Sequence, residues 1–434
     1  MFLSGFPRRN VGGMTNWLIK IVMSHPRVIL HIDMNSYFAS VEQQANPFLR
    51  GKAVGVCAYL SENGCILASS REAKQHGVRT GMRVRDAKRL WPSTIFLQND
   101  PPKYRSTTER IFHILAEYTD RIEPYSIDEA FLDLTGYAKN LAGGEKVGIE
   151  INRRIKREVG VWLRASSGVA HTRFFAKLAA DTGPKDSVTV LPASEVPRYL
   201  ETLDLIDIWG IARATKEKLI ALGMTTPNEF RTAHPARILS SLGAQGYWLW
   251  AALNGHEMHE MSLTEEQPKS IGHSYCLPRK TTDKPYLAAI LMKLAEKTGR
   301  RMREKTLEAR GLYVSWGYAH GGGGGKHMRL PGPLWDSWDV FTSAYRPLAE
   351  MPLPDTVSFL AVGVTNFAPP SPQTSLFSAM KEMREKKYAL TRALALVNNK
   401  WGEFTLQRGV MYGTGHNAPD RIGYRKSLAA PTIL

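Results

Sequence analysis

The sequence predicts an α+β protein made of several domains, and three observations carry that prediction. The chain has 434 residues, more than one core usually serves, since single domains run to about 100–200 residues. Apolar, β-branched runs such as RVILHID (27–33) and VSFLAVGVTNFA (357–368) recur between amphipathic helical stretches without a regular βαβα alternation. The texture also changes along the chain, from mixed to purely helical after about Glu195 and back to mixed after Lys269, and no internal repeat runs through it.

Composition narrows the classes. A hydrophobic share of 43% and a charged share of 22% match a soluble globular protein rather than a disordered or membrane-spanning one. Lys plus Arg number 57 against 40 Asp plus Glu, a formal net charge of +17, which favours a polyanionic partner. Nucleic acid is the first candidate and an anionic membrane surface the second. The three cysteines, Cys57, Cys65 and Cys276, form no CxxC pair; zinc-ribbon and dithiol readings are set aside and a reduced, intracellular protein is expected. The apolar run Trp17 to Met23 is broken by Lys20, falls short of the roughly 20 residues that span a bilayer, and is followed by no small-residue cleavage site. Residues 1–26 therefore read as an N-terminal extension, either a short appended helix or the product of a start upstream of Met14 or Met23.

Taken in order, RVILHID reads as a central strand buried on both faces and ending on Asp33. Residues 36–51 read as a helix capped by Ser36, with Phe38, Val41 and Ala45 at helical spacing and Pro47 as its stop. Strands KAVGVCAYL and CILASS flank the turn SENG, and helical stretches carry Arg71 and Lys74. Residues 104–122 form an amphipathic helix with Ile111, Ile114, Leu115 and Tyr118 on one side. A hairpin follows in PYSIDEAFLDL (124–134), then a helix over 148–163, a strand and a helix over 164–182, and a break at Gly183 and Pro184. LDLIDIWGIARATKEKLIALGM (203–224) has a helix, glycine turn, helix layout, and HEMHEMSLTEEQPKS (256–270) reads as a linker. A second α/β module and a tail with one helix complete the chain.

The hairpin carries the chemistry. On a straight strand Asp128 and Glu129 would point to opposite faces, but at the turn both can reach one site, with Asp33 at the same sheet edge. Three carboxylates so close raise one another's pKa unless a cation neutralises them. Mg²⁺ suits such oxygen ligands, and two ions would clamp an in-line phosphoryl displacement. The residues alone leave a second reading open, in which Asp128 caps the turn and Glu129 pairs with a surface Lys or Arg.

HIDMNSYFASVE (31–42) and YSIDEAFLDLTG (125–136), in that order, resemble the two catalytic motifs of the Y-family (translesion) DNA polymerases, nearest the bacterial DinB-type branch. The resemblance continues through REAKQHGVRTGM, SGVAHTRFFAKLAAD, IWGIARATKEKLIALGM and PKSIGHSY, from about Arg27 to the tail. It implies a right-hand polymerase: palm (27–36 and 100–193), fingers (37–99), helical thumb (194–258), linker (259–268), little finger (269–368) and tail (369–434). It implies that Asp33, Asp128, Glu129 and the Met34 carbonyl hold two Mg²⁺ ions, between which a primer 3′-hydroxyl attacks the α-phosphate of a dNTP and releases pyrophosphate. Phe38 falls at the steric-gate position, where a ring excludes a 2′-hydroxyl; alone it would read as a core aromatic. Error-prone synthesis during repair, without proofreading, is the activity this implies.

Other matches depart from the family pattern. The triphosphate positions fall on Tyr37, Phe38, Arg71 and Lys74, the last two standing where many members have Tyr and Arg. Lys185, in TGPKDS, comes one place later than the usual lysine. The helix-hairpin-helix turn has Gly210 but Ala212 in place of its second glycine; its amides would bind DNA phosphate without reading bases. Arg300, Arg301 and Arg303 form a basic helical patch expected on the DNA backbone. Gln373, Leu376 and Phe377 of QTSLF resemble a sliding-clamp-binding peptide. HGGGGGK (320–326) lacks the P-loop spacing and reads as a hairpin tip, and the histidines of HEMH lie one residue short of the zinc-protease spacing. The expected partners are primed DNA, dNTPs and a clamp, with no membrane, in a cytoplasmic monomer. A palm-type nucleotidyl cyclase and a non-catalytic DNA-binding and clamp-binding scaffold are the competing readings; a scaffold would be expected to lose some of the acids, and all three are present.

Overall fold

The computed structural model describes residues 27–257, 261, 267–369 and 378–419; the N-terminal extension and the QTSLF peptide lie outside them. The described residues begin with β1 (Ile29–Met34) and α1 (Tyr37–Ala45), followed by β2 (Val54–Cys57), β3 (Ile66–Ser69), α2 (Arg71–Gln75), α3 (Val84–Leu90) and β4 (Ile95–Gln98). Next come α4 (Pro101–Ala116), β5 (Ile122–Pro124), β6 (Glu129–Asp133), α5 (Leu141–Arg154), β7 (Ala165–Ala170), α6 (Arg173–Thr182) and β8 (Val188–Val190). Four helices follow: α7 (Val196–Glu201), α8 (Arg213–Ala221), α9 (Pro227–Thr232) and α10 (Pro235–Leu253). The final stretch comprises β9 (Ser270–Thr281), α11 (Lys284–Glu304), β10 (Glu308–Tyr318), β11 (Gly323–Leu334), α12 (Ser337–Glu350), β12 (Val357–Ala368) and α13 (Ser378–Trp401).

The strands form a five-stranded sheet, β5-β6-β1-β7-β8, a four-stranded sheet, β11-β10-β12-β9, and a three-stranded sheet, β3-β2-β4. β1 is the central strand of the first, antiparallel to both β6 and β7. Its even positions, Leu30, Ile32 and Met34, pack with Ile111 and Leu115 of α4 and Ile151 of α5. Ile29 packs on the other face with Phe131 of β6 and Phe174 and Leu178 of α6. Helices on both faces explain why the run is continuously apolar. They also place Asp33, of the same parity as Ile29, on the α6 side.

Two local expectations change. Ser36 precedes α1 but makes no side-chain cap, because its backbone is left-handed (φ 51°, ψ 41°); a capping hydroxyl is presented from extended backbone. Ala45 is exposed, and the buried face of α1 is formed by Tyr37, Ser40 and Val41, with Phe38 half-buried. The glycine run divides: Gly321 and Gly322 make the turn at positive φ, while Gly324 lies in β11, where a Cβ would sit 2.6 Å from the Trp316 ring.

In the last module α11 and α12 bury Leu291, Leu294, Val340 and Phe341 with the sheet residues Leu312, Val314 and Trp316. Residues 402–419 pack over α11: Met411 is fully buried and Lys293 Nζ donates to the carbonyls of Thr414 and Gly415 at 2.9 and 3.0 Å.

The closest approach of a helix to the five-stranded sheet is at Gly168 of β7, beside β1. A Cβ there would lie 2.0 Å from the Ala176 carbonyl oxygen and 2.6 Å from the Ala180 amide nitrogen, both backbone atoms of α6. Gly168→Ala is therefore expected to cost about 3 kcal/mol or more, the upper range for overpacking, read as a lowered denaturation midpoint. An unchanged midpoint would mean that α6 does not seat on β7 in this way.

Candidate active site

Asp33 lies near the end of β1, and its registered partner on β6 is Glu129. The Met34 amide donates to the Asp128 carbonyl at 3.0 Å, which ties the hairpin turn to the strand carrying Asp33. The turn is braced from outside as well. Thr108 of α4 donates to the Ile127 carbonyl at 2.7 Å, and the Tyr37 hydroxyl lies 2.8 Å from Thr108 Oγ1 and 2.9 Å from the Tyr104 carbonyl. The Ser126 hydroxyl donates to Asp128 Oδ1. Asp128 thus enters a turn hydrogen bond, but Glu129 does not pair with a surface cation. It meets Lys177, a buried residue of α6, at 2.9 Å.

The three acids differ because their surroundings do. Burial, and then the charges of Asp128 and Glu129, push the Asp33 carboxyl well above its ordinary value. Burial also raises Asp128, to about 6, against the opposing Ser126 bond and with help from Glu129. Burial would raise Glu129 too, but His31 and Lys177 outweigh it and hold the group at about 2. His31 Nε2 is 3.4 Å from Glu129 Oε2, and burial lowers its own pKa. Lys177 also reaches Asp181 at 3.3 Å.

This donor set fits a hard divalent cation: three carboxylates on one sheet end, mutually repelling, with one ammonium against them. Among the described residues no group of three or more His, Cys, Asp or Glu side chains is placed to hold a metal ion unaided. Mg²⁺ rarely needs such a group, because it keeps waters and takes substrate phosphates beside one or two carboxylates.

The phosphate candidates divide. Lys74, one helical turn after Arg71 on α2, lies in the field of Asp33: burial lowers its pKa, Asp33 raises it and Lys185 lowers it further. Lys185 Nζ donates to the Asp181 carbonyl at 2.9 Å. Asp33 and Lys185 thus both lie within electrostatic reach of Lys74, while Arg71 is exposed. Phe38 stacks on Tyr104 with ring centroids 4.5 Å apart and planes at 17°. Tyr37 is buried and hydrogen-bonded through its hydroxyl, a packing residue.

Away from the acids, Gly210 has φ 98° and Ala212 precedes the first turn of α8 without a side-chain cap. The three arginines of the expected basic patch on α11 differ in their partners. Arg303 is taken up internally, donating to Ser337 Oγ at 2.8 Å and to Glu296 at 3.3 Å, with its guanidinium 5.7 Å from the Trp335 ring centre. Arg300 pairs with Glu304 at 2.8 Å and with Glu403 of the C-terminal segment at 3.6 Å. Of the three, Arg301 alone has no ion pair among the described residues.

Sequence reasoning passed over Lys177, His31 and Asn35, although all three stand inside the quoted motifs. A lysine amid RFFAKLAAD, on a helix face that otherwise packs into a core, was the available signal for Lys177.

The chain is similar to known proteins over most of its length. Residues 32–181 match the impB/mucB/samB family and residues 268–376 that family's C-terminal domain. The chain is 31% identical to DNA polymerase IV 1 of Bacillus subtilis over 88% of its own length and 92% of the relative's. It is 29% identical to DNA polymerase IV of Desulfatibacillum aliphaticivorans over 88% and 96%, and 36% identical to DNA polymerase IV of Neisseria meningitidis over 66% and 80%. A solved Y-family DNA polymerase chimera superposes with a TM-score of 0.70 at 24% identity, covering 79% of this chain and all of that one.

Lys177→Met removes the only ammonium or guanidinium within ion-pair reach of Glu129 among the described residues. The unfolding free energy without metal is expected to fall by about 3 kcal/mol, the low end for breaking a buried pair, as measured by urea denaturation. No change would show that solvent, rather than Lys177, screens Glu129.

Proposed function

The chain belongs to the impB/mucB/samB family and is a DinB-type Y-family DNA polymerase, and we propose that Asp33, Asp128 and Glu129 carry its chemistry. Its activity is template-directed DNA synthesis of the translesion kind. The observation that carries the assignment is the register of Asp33 directly opposite Glu129, with Asp128 beside them and raising the Asp33 pKa. In our reading the palm, fingers, thumb and little finger keep the boundaries expected from the sequence.

Enzymes of this class use divalent metals; here we take the metal to be Mg²⁺, two ions held by the three carboxylates and the Met34 carbonyl. When bound, they would supply positive charge to the reacting phosphate and to the attacking and leaving oxygens. The protein's own part is positioning. The β1–β6 register sets the separation of the acids, and the α4 contacts to Ile127 and Tyr37 hold the turn. Lys74 and Lys185 draw the triphosphate toward Asp33, with Arg71 as an outer contact. Phe38, backed by Tyr104, presents a ring edge that cannot move aside for a 2′-hydroxyl. The primer 3′-oxygen displaces pyrophosphate at the α-phosphorus, and its proton is lost to solvent or to a carboxylate of the cluster.

The turn amides at Gly210 to Ala212 and the Arg301 side chain are our candidate contacts to the DNA backbone. Gln373, Leu376 and Phe377 are our candidate anchors on a sliding clamp, and the working state is taken as a cytoplasmic monomer. Among the described residues no helix is long and apolar enough to cross a membrane.

With Mg²⁺, dNTPs and primed template the protein is expected to extend primers, and Asp128→Ala to reduce extension by at least about a thousandfold, roughly 4 kcal/mol of barrier, while DNA affinity measured by anisotropy stays within about twofold. Binding without extension by the wild type would favour the scaffold reading. Phe38→Ala is expected to raise ribonucleotide incorporation by about a hundredfold, roughly 3 kcal/mol of discrimination. Unaltered sugar selection would remove Phe38 from the gate.

A further inference from the structure

The segment after α6, TGPKDS, is held far more tightly than a surface loop needs to be. It leaves the helix at Gly183, where a Cβ would lie 2.2 Å from Thr189 Oγ1 and 2.6 Å from the Ala179 carbonyl. Three residues on, Asp186 takes a left-handed conformation, φ 62°, uncommon outside glycine though more accessible to Asp than to most residues, and several contacts hold it. The Asp186 amide lies 3.3 Å from both Asn35 Oδ1 and Ser166 Oγ, and its carboxylate is 2.7 Å from Lys156 and 3.9 Å from Arg164. Ser187 accepts from the Ser167 amide at 2.9 Å.

Asn35 stands at the centre of this arrangement, two residues after Asp33. Its Nδ2 donates to Ser166 Oγ at 2.9 Å and to the Asp33 carbonyl at 3.2 Å, while its main-chain amide donates to the Arg164 carbonyl at 2.8 Å. One side-chain amide, donating through nitrogen and accepting through oxygen, thus ties together the end of β1, the start of β7 and the loop. A carboxylate there would keep the acceptor, lose the donor and add a charge beside Asp33. Between the clamped Asp186 and the helix end stands Lys185, its ammonium resting on the Asp181 carbonyl within the field of Lys74.

We propose that Asn35 is a positioning residue for the incoming nucleotide: by clamping the 183–187 loop to the catalytic strand it fixes where Lys185 stands relative to Lys74 and Asp33. The inference rests on the reading of Lys74 and Lys185 as triphosphate contacts. Lys185 depresses the Lys74 pKa, so the two ammonium groups repel; a polyanion bound by both would relieve that repulsion, and the placement of one sets the affinity gained from both. A loop freed at Asp186 would let Lys185 move away into solvent, and nucleotide binding would weaken while the acids stayed in place.

The test is steady-state single-nucleotide incorporation. Asn35→Ala is expected to raise the KM for the dNTP about tenfold with kcat within about twofold, the size of one lost hydrogen bond to a constrained group. Ser166→Ala, which removes the same link from the β7 side, should give the same signature and serves if Asn35→Ala does not fold. Lys185→Ala should raise KM comparably, and Asn35→Ala combined with Lys185→Ala should be no worse than Lys185→Ala alone. A fall in kcat at unchanged KM for Asn35→Ala, or single effects that multiply in the double variant, would overturn the positioning role. If Lys185→Ala itself leaves KM unchanged, the triphosphate reading fails first. If it raises KM and Asn35→Ala does not, only the role of Asn35 falls.

Discussion

The mutual repulsion of three carboxylates at one end of a buried sheet is the constraint around which the first half of this molecule is arranged. Taken singly, each acid would resist burial by several kcal/mol; together they also oppose one another. The fold answers with one buried cation, Lys177, on Glu129 and a hydroxyl, Ser126, on Asp128. Among the described residues Asp33 receives neither, and its pKa is driven well up, by burial first and then by the charges of Asp128 and Glu129. Such a cluster is stable enough to fold yet remains short of positive charge, which is the state a metal-dependent nucleotidyl transferase needs before substrate arrives.

Holding the acids in that state requires a rigid frame, and the frame follows from the central position of β1. Because helices cover both faces of the sheet, a one-residue slip of β1 against β6 would move Asp33 into the apolar layer of Ile111 and Leu115 and bring Ile32 or Met34 out to the α6 side. Apolar burial on both faces therefore specifies the register that sets Asp33 opposite Glu129. The close seat of α6 at Gly168 has a second effect, since it brings Lys177 to Glu129 from the same helix. Packing and electrostatics are one arrangement here, and neither could be altered alone.

Much of this was legible in the sequence because it is local. The continuous apolar run of β1, the hairpin of PYSIDEAFLDL and the glycine-punctuated helices carry their signals within a few residues. The acids were legible because a charged pair in an apolar hairpin is anomalous by itself. What remained hidden depends on backbone geometry or on distant chain. Ser36 is a good capping residue by type, but the left-handed turn after β1 removes its geometry. Asn35 looks like an ordinary turn residue, and its partners lie 131 and 151 positions away. No periodicity reports such a contact.

Arg300 and Arg303 illustrate the same limit for charge. Helical spacing places them on a common polar face of α11, and in a chain with a net charge of +17 a polyanion is the obvious partner. Much of that face also serves the protein itself, through Glu296, Ser337 and the Glu403 that arrives a hundred residues later. Lys293 and Lys297 of the same helix are likewise buried, the first against the carbonyls of Thr414 and Gly415 and the second near Glu403. Net charge states how much positive charge a chain carries, and not how much of it faces outward. In this module part of the excess holds the C-terminal segment in place, so the cations free for a DNA backbone must be sought on surfaces that this segment leaves uncovered. Arg329 meets that condition: it is exposed, on a strand whose register sets it beside Gly311, across the sheet from Leu312 and Val314 in the core.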